Sequence, residues 1–299
     1  MTGEMVQNVK ARKKVSFLRR FKSNKGALVA LLVLIIIFAM SVFAPIFSTY
    51  DPATTSLSER LKAPSLEEGL KGSGFPHFLG TDQQGRDVYS RLVYGSRVTL
   101  KVGFVVASFG AVVGVVLGMF AGYFGGWVDM FIMRLVDIWA SSPTFLVSLA
   151  FVMVMGPGEL TLIIAFLFNS WTLFCKMARS QVLTLRSSTM VESGLAIGAG
   201  TSRVLFRHIT PNIISPLITT YVLQLANYIN AEANLSFLGF GVQPPAASWG
   251  LMIGDGRQYI TTAWWIVFFP GLMIGITVLC LNIVGNWVRE EFDPLSIKQ

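Results

Sequence analysis

Residues 192–212 read ESGLAIGAGTSRVLFRHITPN, one carboxylate, three glycines, two arginines and a histidine set between two long apolar runs. The chemistry this segment offers is docking. On a helix Glu192, Leu195 and Ala199 fall at i, i+3 and i+7 and share a face a partner can read. Gly198 and Gly200 interrupt that helix, because glycine is costly in a helix interior and permits close backbone approach. Pro211 is suited to open the next helix, where its missing N–H is harmless. The spacing therefore predicts a short helix, a glycine turn and a second helical arm. On periodicity alone, an amphipathic connector lying on lipid headgroups fits equally well.

Downstream, Gln224, Asn227, Asn230 and Asn234 form an amide stripe. At 100° per residue the three asparagines lie within about 60° of one another, and Gln224 about 60° further round. Amides facing lipid are costly, so the stripe must face protein or a water-filled path. Lining a translocation path is the expectation, with hydrogen bonds to a partner helix as the alternative. Glu232 falls on another face near the outer end of the same run. An acid there is either functional or solvated at the rim.

Two further patterns concern architecture. Gly110, Gly114, Gly118 and Gly122 recur every fourth residue, the spacing that lets helices approach closely in lipid. They are expected to pack helices, within the chain or against a partner. The stretch GTDQQGRD contributes Gly80, Thr81, Asp82, Gly85, Arg86 and Asp87. Its charges are expected to form a salt-bridged turn that orders an outer segment, the rival role being contact with another protein. Arg134 and Asp137, three apart, are expected to pair along their helix.

Bond-making chemistry finds little support. Cys175 and Cys280 are isolated in apolar runs, and neither His77 nor His208 has a second ligand at metal spacing. There is no G-x-x-x-x-G-K-[ST], H-E-x-x-H or G-x-S-x-G. The expectation is no catalytic residue, no metal site and no cofactor bound by this chain.

The elements that must position these residues are membrane helices. The chain of 299 residues is 53% hydrophobic and 13% charged, with a mean hydropathy of +0.60. Soluble domains average about 25% charged. The net charge of +8 then reflects basic residues gathered at the cytoplasmic face, and nucleic acid is not an expected partner. A crossing helix needs about 20 apolar residues. Six runs qualify: 27–47, a run between Lys101 and Asp129, Ile138 to Gly158, Leu160 to Cys175 extending toward Arg179, Ile209 to Ala231 and beyond, and 264–288. The charge-free run 233–250 carries adjacent prolines and reads as a re-entrant or surface segment. The first run exceeds a signal-peptide core and is expected to remain as a span. Lys10, Arg12, Lys13, Lys14, Arg19, Arg20, Lys22 and Lys25 put the N-terminal flank inside. Six spans return the C-terminus there, leave 49–97 outside, and place 176–212 inside.

The predicted organisation is a basic cytoplasmic segment (1–26), a first span (27–48), an outer segment (49–97), a transmembrane core (98–290) with a cytoplasmic segment at 186–211, and a cytoplasmic tail (291–299).

Glu192, Ser193, Gly194, Leu195, Gly198, Ile209 and Pro211 resemble the "EAA" coupling motif of bacterial ABC importer permeases, with Ser193 and Gly194 in place of the two alanines. FLGTDQQGRDVYSRLVYGSR (78–97), LSFLGFGVQPPAASWG (235–250) and FDP (292–294) are similar to the dipeptide and oligopeptide branch, C-type subunit. Asn286 and Trp287 depart from that branch's usual ending. The resemblance covers the chain from about Phe17 onward. It implies an all-α membrane protein, type I ABC importer permease-like, with six transmembrane helices and both termini cytoplasmic. It also implies a bacterial cytoplasmic (inner) membrane location among membrane lipid, a B-type permease partner, two ABC ATPase subunits holding the ATP and Mg, an extracytoplasmic solute-binding protein and a peptide substrate. The 192–211 segment would then dock on an ATPase. Nickel, glutathione or oligosaccharide cargo on the same scaffold is the alternative. A membrane-embedded enzyme or a stand-alone secondary transporter are readings of other classes.

Overall fold

The computed structural model describes residues 24–65, 76–196 and 198–292. Most of the expected basic segment, Glu67, Glu68, Ile197 and residues 293–299 lie outside the described residues. Among the described residues the chain is helical, apart from an isolated bridge between Thr81 and Asp87.

Helix α1 (Lys25–Val42) starts where the Asn24 side chain accepts from the Ala27 N–H, and runs to Phe43, just before the short α2 (Ala44–Phe47) with Pro45 in its first turn. Helix α3 (Val88–Phe124) is 37 residues long, about 55 Å at 1.5 Å per residue. It begins ten residues before the expected end of the outer segment, because Asp87 at the end of GTDQQGRD caps it by accepting from the Ser90 N–H at 2.7 Å. It ends at Gly125 with φ +65°, a left-handed cap that suits glycine.

The expected continuous third span, Ile138 to Gly158, is overturned. Helix α4 (Gly126–Ala140) stops, and α5 (Thr144–Met155) starts after a bend of 75°. Pro143 is the cause: it lacks an N–H and biases Ser142 away from helical geometry. Helix α6 (Glu159–Arg186) is long and apolar enough to cross a membrane and continues beyond the expected Cys175–Arg179 end. Then come α7 (Thr189–Ala196), α8 (Thr201–Arg203), a π-helical turn (Val204–Ile209) and α9 (Thr210–Phe237), with Pro211 in the first turn of α9. The 238–248 loop folds back into α10 (Trp249–Gly256), and α11 (Trp265–Phe292) closes the bundle. The 233–250 run is thus the end of α9 plus a non-spanning return.

Among the described residues four helices, α1, α3, α6 and α11, are long and apolar enough to cross a membrane, and the bent α4–α5 pair makes a fifth if counted as one. Helix α9 has the length at 28 residues, but its amide stripe and threonines make it less apolar. The helices leave large apolar side chains exposed, among them Ile36, Val112, Met153 and Val154, as lipid-facing residues are.

Helices α3 and α6 lie against each other along their lengths. The glycine stripe faces α6 of the same chain. A Cβ at Gly110 would come within 2.6 Å of the Ser170 carbonyl oxygen, at Gly114 within 2.3 Å of that of Trp171, and at Gly118 within 2.4 Å of that of Cys175. At Gly122 it would meet the Val182 Cβ at 2.8 Å. Alongside the stripe, Met119, Phe174, Ala178, Val182, Ile209 and Ile213 form one buried cluster.

Gly114→Ala should therefore cost about 1–3 kcal/mol, the usual range for overpacking. Gly271→Ala, where an added methyl meets nothing within 4 Å, should be neutral or slightly stabilising. Thermal unfolding of the detergent-solubilised chain compares the two, and equal shifts would contradict the packing role.

Candidate coupling segment and polar cleft

The segment between α6 and α9 is held to the bundle by its apolar residues and displays its polar ones. Val191 in α7 and Val204, Leu205 and Ile209 in the π turn are buried in the α3–α6 cluster. Glu192, Ser193, Gly198 and Pro211 are exposed. Gly198 has φ +80°, the left-handed geometry that ends α7 after Ala196. Ala199 therefore lies beyond the turn and is buried, which overturns the expected shared face with Glu192. Ile209 is likewise an anchor, buried while Pro211 stays exposed. The Thr210 hydroxyl donates to the Leu205 carbonyl at 2.8 Å, and the Asn212 amide donates to that of His208 at 2.6 Å. An open depression lined by Gly198, Gly200, Arg203, Phe206, Arg207 and Pro211 marks the surface here. Just above, the Arg179 guanidinium clamps Asp129 through both oxygens and ties α4 to α6. Asp137 faces Lys176 at 3.6 Å in place of the expected Arg134.

The amide stripe divides. Gln224 and Asn227 line a cleft of 250 Å³ between α5, α6 and α9, and the Asn227 amide donates to the Gln224 carbonyl at 2.6 Å. Asn230 and Asn234 do not line it. The opposite wall is Thr144, Asn169 and Thr172, with the Asn169 amide donating to the Thr144 hydroxyl at 2.7 Å. Sequence reasoning missed these three. The one available signal was a lone asparagine inside the apolar run of α6, where a polar side chain needs a partner.

Glu232 is neither at a solvated rim nor in the cleft. It is 0% exposed and accepts from Thr99 at 3.0 Å and Ser236 at 2.7 Å, with Ser248 as a third partner. The Trp249 N–H reaches Thr99, and the Val242 N–H reaches Ser236. One carboxylate thus joins α3, α9 and the turn into α10. The sequence placed it correctly on another face of α9, but its partners are 133 residues upstream and 16 downstream.

The outer motif is a buried charge network. Arg86 donates to Asp82 at 2.6 Å and to Asp255 at 3.2 Å, while Arg91 lies 3.6 Å from Asp82 and 3.5 Å from Asp255. Gly80 and Gly85 have φ near +70°, and a Cβ at Gly85 would strike the Ser56 carbonyl. Thr81 donates to the Glu59 carbonyl, and its own carbonyl accepts from the Trp265 indole at 3.1 Å. Asp87 is not part of an Arg86 pair: besides capping α3 it meets His77 at 2.8 Å, whose other ring nitrogen lies 3.2 Å from Glu59. Tyr50 stacks on His77, and burial with the Asp87 and Glu59 carboxylates pushes its phenol above the ordinary value. Asp255, the counter-charge in α10, was not singled out in the sequence.

These features meet a known pattern. The family described as binding-protein-dependent transport system inner membrane component matches residues 114–297, and the N-terminal TM domain of oligopeptide transport permease C matches residues 15–64. The chain belongs to the binding-protein-dependent transport system inner membrane components. It is 41% identical over 283 residues to the dipeptide transport system permease protein DppC of Escherichia coli K12, covering 95% of this chain and 93% of the relative. It is 38% identical over 275 residues to the oligopeptide transport system permease protein OppC of Bacillus subtilis, covering 92% and 87%. Among solved structures, an inward-facing MetNI methionine ABC transporter shares the fold at a TM-score of 0.54 and 18% identity, over 68% of this chain and 96% of that one.

Glu232→Val should destabilise the fold by about 1–3 kcal/mol for each hydroxyl left without an acceptor, whereas Glu232→Gln, which keeps an accepting oxygen, should lose far less. Unfolding midpoints of the two variants separate this structural role from a rim carboxylate, for which both would match the parent.

Proposed function

We propose that this chain is the membrane-spanning permease subunit of an ATP-driven importer of di- and oligopeptides in the bacterial cytoplasmic membrane. It forms half of the translocation path beside a B-type permease, rests on two ABC ATPases that bind ATP and Mg, and receives cargo from an extracytoplasmic solute-binding protein. The carrying observation is α7, an exposed helix anchored in the α3–α6 core by Val191 and followed by Val204, Leu205 and Ile209 in the same cluster, so that a push on the segment moves the bundle as a rigid body. Glu192, Ser193, Gly194, Leu195, Gly198 and Pro211 form the ATPase contact region, and Ile209 fixes it to the bundle. Nucleotide then biases two arrangements of the permease pair.

Six spans, with α4–α5 as the bent third and α9 as the fifth, and both termini inside, complete the reading. Contacts between distant segments support this topology. Asp82 and Asp255 share one network and both fall outside. Lys101 and Glu159 meet at 2.8 Å and both fall outside. Asp129 and Arg179 meet and both fall inside. The polar cleft lies between, where Gln224 and Asn227 face Asn169 across the path. The relatives' names favour peptide over nickel, glutathione or oligosaccharide cargo.

Glu192→Lys, or removal of residues 192–200, should abolish co-purification of the ATPases and cargo accumulation while the chain still inserts. Gln224→Leu combined with Asn227→Leu should lower uptake at least tenfold with ATPase association intact. Unchanged uptake would show that the amides do not line the path.

A further inference from the structure

A second cleft, of 290 Å³, opens near the outer end of α3, between that helix, the start of α6 and the loop at 245–247. Its charged residues are Arg97 and Lys101 on α3 and Glu159 on α6. Lys101 is committed to Glu159 at 2.8 Å. Arg97 is exposed and has no carboxylate partner among the described residues. Its guanidinium is held 5.9 Å from the centre of the Tyr94 ring, which also lines the cleft. That contact steadies the side chain while leaving its donors free. The cleft thus carries one positive charge in excess and presents it on a planar fork, the geometry that grips a carboxylate through two hydrogen bonds. Its volume is at the small end of ligand sites. The uncharged residues 102–124 suffice to cross the hydrocarbon, which leaves residues 94–101 in the aqueous outer mouth.

We propose that this cleft is an entry site for the free carboxylate of the cargo, held by Arg97, and that Tyr94 and the Lys101–Glu159 pair position the arginine and close the sides. The proposal rests on the importer reading, since it needs small carboxylate-bearing cargo arriving from outside. An aqueous entry site that recognises a carboxylate, ahead of a neutral amide cleft deeper in the bundle, orients a short peptide without reading its side chains.

The test uses the complete transporter complex in detergent, without the solute-binding protein, and saturation-transfer NMR with millimolar alanyl-alanine or its C-terminal amide. The parent complex should transfer saturation to the free acid and at least tenfold less to the amide. Arg97→Gln should lose the free-acid signal, and Arg97→Lys should keep part of it. Equal transfer to both probes, or an undiminished signal in Arg97→Gln, overturns the site. If Arg97→Gln leaves the dipeptide signal intact and instead abolishes stimulation of ATPase by the solute-binding protein, the cleft is a protein contact and the proposal fails. Failure of the importer reading shows separately, as the absence of ATPases from the purified complex.

Discussion

The close approach of α3 and α6 is the contact on which the rest of the structure depends. In lipid there is no hydrophobic expulsion to drive two apolar helices together, so packing distance decides. The glycine stripe removes the side chains that would hold the backbones apart, and carbonyls of α6 take up the space. The paired helices then act as a stiff axle. At one end, the buried cluster of Met119, Phe174 and Val182 receives Val191 and Ile209 from the segment between α6 and α9. At the other, Asp87 starts α3 inside the charged outer motif.

Polar groups away from this axle obey one constraint, that each must be satisfied where water is scarce. Glu232 is the strongest case. Its oxygens collect hydroxyls from three segments and so fix how the 238–248 return meets the bundle. Arg86 and Arg91 are treated similarly by Asp82 and Asp255, which lock the outer loop onto α10. A buried network of this kind adds specificity of arrangement more than net stability. Among the described residues, polar groups are left open at α7, in the cleft at Gln224 and Asn227, and in the cleft at Arg97. Function is carried where satisfaction is left to a partner or a ligand.

Local hydrogen bonds make the bend at Pro143 tolerable. The Ser141 and Ser142 N–H groups donate to the Asp137 and Trp139 carbonyls, the Pro143 carbonyl accepts from the Val147 N–H, and the Thr144 hydroxyl accepts from the Asn169 amide of α6. Breaking a helix at membrane depth is affordable only where another helix or a water-filled space covers the break. The same break brings a hydroxyl into the wall of the amide cleft.

Residue type and local spacing determined much of this protein. Apolar runs announced the long helices, Gly198 the break after α7, and the four-residue glycine period a helix seam, because each depends on neighbours within a turn or two. Asp255 as the counter-charge of two arginines, Asn169 across from Gln224, and the burial of Glu232 were decided only by tertiary structure. Each is a pairing across tens to hundreds of residues, and a polar side chain's role depends on which distant group arrives to satisfy it. Periodicity assigns such a residue to a face of its own helix, and packing alone decides what that face meets.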